Sequence, residues 1–281
     1  MFSIIIPTFN NLGHLKLCLK SLINNSKYNH EIIFHINDGS DGTKNFITEK
    51  GYKYTHSNDN IGLCSSINKA SKLSTTKYLL YSHDDMYFCP FWDEILLREV
   101  KLYKHDNFYL SGTMIEKFSG HITFNFGNTF DDFQEDDFLS RYKELNYFDH
   151  QGSHFAPHLV SKSLWERVGG FSEEFNPGIG SDPDFNMKLW KEGVRIFKGL
   201  NDFKVYHFGS LTTRKNKNVK QNRGDNTFLK KWGITTGFFK KHYLRSKTEF
   251  RGPLEEPKKD IIYYFDLLKS KFRLLYINLL S

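Results

Sequence analysis

Asp84 and Asp85 stand together behind His83, at the end of the apolar run Tyr78-Leu-Leu-Tyr81. A run of this kind is what a parallel sheet buries on both faces. Open α/β sheets place their ligands at the carboxyl ends of such strands. Adjacent carboxylates there repel one another unless something positive neutralises them. A divalent cation carrying a diphosphate is the economical candidate. Helix capping or a turn would use the same residue type, because Asp favours both. A second pair of acids, Asp182 and Asp184, brackets Pro183 after a loop rich in glycine and proline. They fall at the start of a helix expected from Asp184 to Glu192, where the dipole favours the ionised form. Capping accounts for one acid in that place, whereas two acids bracketing a proline resemble a positioned site.

The elements that must hold these residues are legible from pattern. Phe2 to Asn10 reads as a strand broken by Pro7 and followed by a polar turn. Leu12 to Ile23 carries apolar residues at helical spacing. Glu31 to Ile36 and Tyr52 to His56 read as the next strands, and Leu63 to Leu73 as a helix ahead of the Tyr78 strand. The order is β-α-β-α-β-α-β, with a polar cluster at each strand's carboxyl end. Right-handed crossovers bring those ends together along one edge. Farther on, the pattern predicts a helix over Phe91 to Lys104, strands over Phe108–Thr113 and His121–Asn125, and a helix start in the acidic stretch from Asp131 to Asp137. A polar turn from His150 leads into a strand ending at Val160, a short helix follows over Ser163–Val168, and a strand over Phe203–Tyr206. A basic helix is expected to end at Trp232.

Six pieces in this order resemble the family 2 glycosyltransferases of GT-A fold. They are Ile-Ile-Pro-Thr-Phe-Asn (5–10), Asn-Asp-Gly-Ser-Asp-Gly-Thr (37–43), Asn-Ile-Gly (60–62) with Asn68, and His-Asp-Asp (83–85). Gly-Gly-Phe-Ser-Glu-Glu-Phe (169–175) with Ser-Asp-Pro-Asp-Phe (181–185), and Val-Tyr-His-Phe-Gly-Ser (205–210), complete the set. The resemblance covers residues 2 to about 235. It implies a Rossmann-like, mostly parallel central sheet flanked by helices, with residues 1–110 binding the nucleotide sugar and 111–235 the acceptor. Residues 236–281 are then a basic, aromatic helical extension.

The activity implied is a metal-dependent, inverting transfer of a hexosyl group from a nucleotide-diphosphate sugar, with a UDP-sugar favoured, to a hydroxyl of a glycan or lipid-linked acceptor. Such a step belongs to polysaccharide biosynthesis. By the same resemblance Pro7, Thr8, Phe9 and Asn10 form the nucleoside-binding turn, and Asp38 accepts a hydrogen bond from the base. Asn60, Gly62, Asn68 and Asp84 complete the donor site. Asp85, with His83 and His207, holds Mn2+ or Mg2+, and mixed carboxylate and imidazole ligation leans toward manganese. Asp182 is the expected base and Asp184 the runner-up.

Three positions depart from the family pattern. Ser181 stands where a glutamate is common, Ile67 where an arginine often occurs, and His83 where the usual triplet begins with Asp. Lys69 is a candidate to replace the missing arginine. Arg214, Lys215 and Arg223 could close over a diphosphate, since Arg and Lys pair well with phosphate oxygens; a solvated loop explains them equally. Two other readings compete. A sugar-phosphate nucleotidyltransferase would carry a glycine-rich basic loop after the first strand, which Pro7 to Asn10 is not. A carbohydrate-binding protein on a decayed transferase scaffold would not be expected to retain Asp38, Asp85, Asp182 and His207 together.

Composition sets the remaining bounds. The 281 residues suit one large domain, or one with an appendage. Mean hydropathy of −0.54 and the lack of a long uncharged apolar run argue against a membrane span. The amino terminus lacks the basic and long apolar stretches of a signal peptide. Cys18, Cys64 and Cys89 have no metal-like spacing, so buried free thiols in a reducing cytoplasm are expected. The net charge of +7 is uneven: residues 204–281 hold 18 Lys and Arg against 6 Asp and Glu. No nucleic-acid-binding signature accompanies that charge, so no nucleic-acid partner is expected. The stretch from Asp260 to Ser281 is apolar and aromatic with scattered basic residues. It is too charged to span a bilayer; it could lie on one, pack on the domain or pair with a second copy, and the acceptors that the resemblance implies favour a cytoplasmic protein with peripheral membrane contact through 258–281.

Overall fold

The computed structural model describes residues 1–152, 155–209 and 223–279. The amino-terminal half alternates as expected: β1 (Ser3–Phe9), α1 (Leu12–Asn24), β2 (Glu31–Asn37), α2 (Thr43–Glu49), β3 (Lys53–Ser57), α3 (Leu63–Ser71) and β4 (Tyr78–Tyr81). Both faces of β1 are buried, which is why it reads as a continuous apolar run. Next come β5 (Met86–Phe88), α4 (Trp92–Val100), β6 (Phe108–Glu116), β7 (Ile122–Thr123), α5 (Glu135–Arg141), β8 (His150–Gln151), β9 (His158–Ser161) and α6 (Lys162–Arg167). The described chain closes with α7 (Ser181–Lys191), β10 (Ile196–His207), α8 (Gly224–Trp232) and α9 (Ile261–Leu279).

The main path of the sheet runs β3-β2-β1-β4-β9-β6-β10-β5. Strands β3, β2, β1 and β4 are parallel, β9 is antiparallel to both its neighbours, and β10 runs parallel to β6. Helices flank this mostly parallel sheet in the GT-A arrangement. One large cluster of buried residues spans the sheet from Phe2 to Tyr263 and includes Phe238, Phe239, Leu244 and Leu254. A smaller aromatic cluster joins Tyr87, Phe126, Phe138 and Tyr206 under α5.

Three elements differ from the pattern-based expectation in ways that bear on the site. Strand β10 starts at Ile196 rather than Phe203. Its pairing with β6 shifts register between Leu200 and Lys204, so the polar Asn201-Asp202 pair is a bulge inside one strand and not a break before it. Helix α7 begins at Ser181, not Asp184. Gly180 at φ +87° caps it, and Pro183 sits in the first turn, where its missing N–H costs no helical hydrogen bond. Strand β6 continues to Glu116, three residues past the expected Thr113, because β10 and β7 pair with its end.

Candidate active site

The carboxyl ends of β1 and β2 meet through side chains. Asn10 (φ 46°) and Asp38 (φ 60°) both adopt the left-handed conformation that Asn and Asp tolerate best. Asn10 Nδ2 donates to Asp38 Oδ2 at 2.8 Å, and the Gly39 N–H donates to Asn10 Oδ1 at 2.9 Å. Hydrogen bonds from Asn10 and Ser40 hold the Asp38 carboxyl below its usual range, so it is an acceptor at neutral pH. Pro7 and Thr8 are buried beneath this turn, and Phe9 is half-buried at the end of β1. Thr8 and Asn11 also face Asp84. Burial and the neighbouring Asp85 push the Asp84 carboxyl up to about 7, and those two side chains offset part of the rise.

Asp85 is the anionic member of the pair. Burial alone would raise it, but His207 and then His83 overcome that and hold it well below the carboxylate range. His207 Nε2 lies 3.3 Å from Asp85 Oδ1 and His83 Nδ1 lies 3.9 Å from it. The ligand atoms of His83, Asp85 and His207 all lie within 4.8 Å of one another. Two imidazole nitrogens and a carboxylate oxygen converging at that separation fit a first-row divalent cation. Burial would lower His207, but Asp85 and Glu116 reverse the effect and raise it to about 10, so a cation would have to displace the Nε2 proton to bind there. His83 falls to about 4 through burial and the nearby His207. The topology explains the convergence. β10 lies beside β5, His207 pairs with Met86, and the Phe208 N–H donates to the Asp85 carbonyl at 3.2 Å.

Asn60, Gly62 and Asn68 occupy a different place. Asn60 Oδ1 accepts the Gly62 N–H at 2.9 Å. Asn68 uses both ends of its amide on Phe171, donating to the carbonyl at 2.8 Å and accepting the N–H at 2.9 Å. Gly62, at φ +85°, leaves no room for a Cβ, which would meet Asn176 Oδ1 at 2.4 Å. Gly62 and Asn68 thereby tie α3 to the loop that leads into α7. Ile67 is core and Lys69 is exposed.

That loop delivers the second acid pair, and its two members have opposite surroundings. Asp184 is fully buried and committed: it accepts from Ser172 Oγ at 2.6 Å and Trp232 Nε1 at 2.8 Å, with Lys231 Nζ 3.0 Å away. Asp182 is half-buried, and its enclosed Oδ1 has no hydrogen-bond partner among the described residues. Burial pushes its carboxyl up to about 7, and the Lys240 ammonium restrains the rise. The Ser181 hydroxyl donates to the Gly178 carbonyl at 2.7 Å, so it closes the turn before α7. Tyr81 connects the two acid sites: burial raises its hydroxyl strongly, and Asp182 and Asp85 both add to the rise.

The structure therefore brings together the ends of β1, β2, β4, β10 and α7. Arg223 is exposed just before α8, while Arg214 and Lys215 lie outside the described residues. Sequence reasoning missed Glu116, whose Oε1 is 3.4 Å from His207 Nδ1, and Lys240, beside Asp182. Glu116 carried a signal, an acid ending an apolar strand, of the kind that singles out Asp85. Lys240 carried none, being one of many basic residues in its region. All three cysteines are buried and free, and Asp182 stands close enough to Cys64 to add to the burial that pushes its thiol up to about 12.

Comparison with known proteins bears on the fold and the family. The chain resembles the crystal structure of S. aureus TarS residues 1–349, with a TM-score of 0.55, 16% identity, and coverage of 73% of this chain and 60% of that one. The same TarS fragment in complex with UDP-GlcNAc aligns with a TM-score of 0.54 at 16% identity, covering 74% of this chain and 60% of that one. The chain thus spans about three fifths of those structures, and their likeness establishes the fold. No curated protein sequence matches it. The model of "Glycosyl transferase family 2" matches residues 3–159, more than half of the chain, and the chain belongs to that family.

Proposed function

We propose that the chain transfers a hexosyl group from a nucleotide-diphosphate sugar to a hydroxyl of a glycan or lipid-linked acceptor, with inversion at the anomeric carbon. The observation that carries this reading is the division of labour between two acids near Tyr81. Asp85 is anionic inside an imidazole cluster, and Asp182 is an uncommitted carboxyl balanced near neutrality. In its ionised form Asp182 takes the proton from the acceptor hydroxyl. That oxygen bonds to the anomeric carbon as the bond to the diphosphate breaks, and the electron pair leaves on the diphosphate oxygen. A single base acting in one displacement inverts the centre. General-base assistance of this kind is worth ~10²–10⁴-fold in rate.

The donor is held by the turn Pro7 to Asn10 and by Asp38, whose ionised carboxylate accepts from a base N–H. Asp85, His83 and His207 would hold Mn2+ or Mg2+, which when bound supplies positive charge beside the leaving diphosphate. The UDP complexes of the structurally similar TarS favour a UDP-sugar as donor. Asp184, held by Ser172, Trp232 and Lys231, positions α7 and α8 in this reading and leaves the base role to Asp182.

A thermal-shift panel of UDP, GDP, CDP and dTDP, each with and without Mn2+, tests the assignment, since a ligand that binds only the native state stabilises it by mass action. Selective stabilisation by UDP that needs the metal is expected. No shift with any nucleotide would reject it.

The same proposal places the enzyme at the cytoplasmic surface of a membrane, held there by α9. Among the described residues no helix is long and apolar enough to cross a membrane. Helix α9 docks one side on the domain through Tyr263, Leu267 and Ser270 and turns the other side outward.

A further inference from the structure

His207 faces a carboxylate on each side at ion-pair distance, and only one of the two belongs to the cation site. Its Nε2 faces Asp85, and on the opposite edge of the ring Nδ1 lies 3.4 Å from Glu116 Oε1. The pairing is built into the sheet. Glu116 ends β6, His207 ends β10, and the two are register partners in adjacent strands, so their side chains project from the same face. The carboxylate is itself held in place. Ser119 Oγ donates to Glu116 Oε2 at 2.5 Å, and a Cβ added to Gly209, at φ +86°, would come within 3.1 Å of Oε1. Side chains of both residues are nearly enclosed, 7% exposed for His207 and 9% for Glu116. Burying a carboxylate is costly unless it is paired, and here the imidazole is the charge partner facing Oε1 while Ser119 serves Oε2.

An imidazole that gives its Nε2 lone pair to a cation must carry its proton on Nδ1. We propose that Glu116 is a positioning residue that accepts this Nδ1–H, fixing the tautomer and orientation in which His207 can ligate a divalent cation through Nε2. Glu116 does not touch the cation; it acts through the ring. The inference rests on the cation site proposed above and extends it by one shell. Partners of this kind are typically worth about 10–100-fold in metal affinity.

The test is a Mn2+ titration of the full chain with UDP present, followed by electron paramagnetic resonance of the free ion. Wild type is compared with Asp85→Asn, Glu116→Gln and Glu116→Leu. Glu116→Gln, which keeps the shape and an acceptor oxygen, should weaken binding by about tenfold, and Glu116→Leu by up to about a hundredfold. At saturating Mn2+, the ¹⁴N modulation of the bound ion should fall in Glu116→Leu, because an unheld ring turns away. A role confined to stabilising the strands would leave that signature intact. Should Glu116→Leu fail to fold, the isosteric Glu116→Gln carries the comparison. Affinity and modulation unchanged in the Glu116 variants, with binding lost in Asp85→Asn, overturns the role of Glu116 alone. Equal and weak binding in wild type and Asp85→Asn removes the cation site itself and this inference with it.

Discussion

Asp182 and Asp184 are two positions apart on one helical turn, yet one is a free carboxyl and the other is locked. The difference lies in what each oxygen meets, and it makes the base assignment testable. Asp182→Asn should lower transfer by at least ~10²-fold while nucleotide binding persists; near-normal turnover would reject the role. The pH dependence follows from the carboxyl standing at about 7. A base works when ionised, so kcat/KM should rise about tenfold per pH unit below that value and level off above it. Lys240→Met removes the cation that restrains the rise, so the break should move to higher pH. A folded-state value raised above the unfolded one of about 3.9 also costs stability as pH climbs between the two, because the unfolded chain gives up its proton first. Asp182→Asn should therefore raise Tm relative to wild type at pH 8 and leave it nearly unchanged at pH 4. Equal Tm differences at both pH values would contradict the burial of this group.

Helix α3 is the element that couples the two halves of the site. It carries Asn68 and is capped by Gly62, and both engage the segment between Phe171 and Asn176 that leads to Asp182. Asn176 answers by accepting the Cys64 N–H at the start of α3 at 3.0 Å. Gly62→Ala would force a Cβ into Asn176 Oδ1 at a positive φ, and strain of this kind costs about 1–3 kcal/mol. The variant should unfold at lower temperature and lose kcat more than Asp38-dependent nucleotide affinity. A variant with unaltered Tm and kcat would show that the loop tolerates independent movement. Gly62 and Asn68 thus hold α3 against the loop from Phe171 to Asn176, while Asn60 closes the turn before α3.

At the scale of the whole molecule, α9 has two faces with different work. Inward, Tyr263 and Ser270 are buried and Asp266 meets Lys241 at 2.6 Å and His242 at 3.0 Å. Outward, Ile261, Phe265, Leu268, Phe272, Leu275 and Leu279 recur every three or four residues, each more than half exposed. At 100° per residue Lys269 and Lys271 fall on opposite borders of that stripe, and no acid borders it. An apolar arc between basic borders suits an anionic membrane surface, with the lysines reaching the headgroups. Phe265→Ser with Phe272→Ser leaves the inner face untouched and should abolish co-sedimentation with vesicles containing phosphatidylglycerol. Wild type should bind neutral phosphatidylcholine vesicles more weakly. Sedimentation equal for both proteins would remove the membrane contact.

The sequence by itself determined the alternation of the amino-terminal half and the edge where its polar turns gather. Strands β1, β2 and β4 are largely buried on both faces and the turn after each strand carries Gly, Asn or Asp, so pattern and packing agree locally. It also drew out Asp85 and the pair Asp182 and Asp184, because acids that end apolar runs or bracket a proline stand out in one dimension. What distinguishes Asp182 from Asp184 was illegible, since Ser172 and Lys231 approach Asp184 from distant parts of the chain. Lys240 was hidden for the same reason, and Glu116, though marked as an acid ending an apolar strand, showed no role: a charge acquires its role only from neighbours that the sheet register and the carboxyl-terminal turn bring to it. Local propensity writes the elements, while burial and partnership, which set every protonation state in this site, exist only once the β6–β10 pairing and the docking of residues 236–260 have enclosed it.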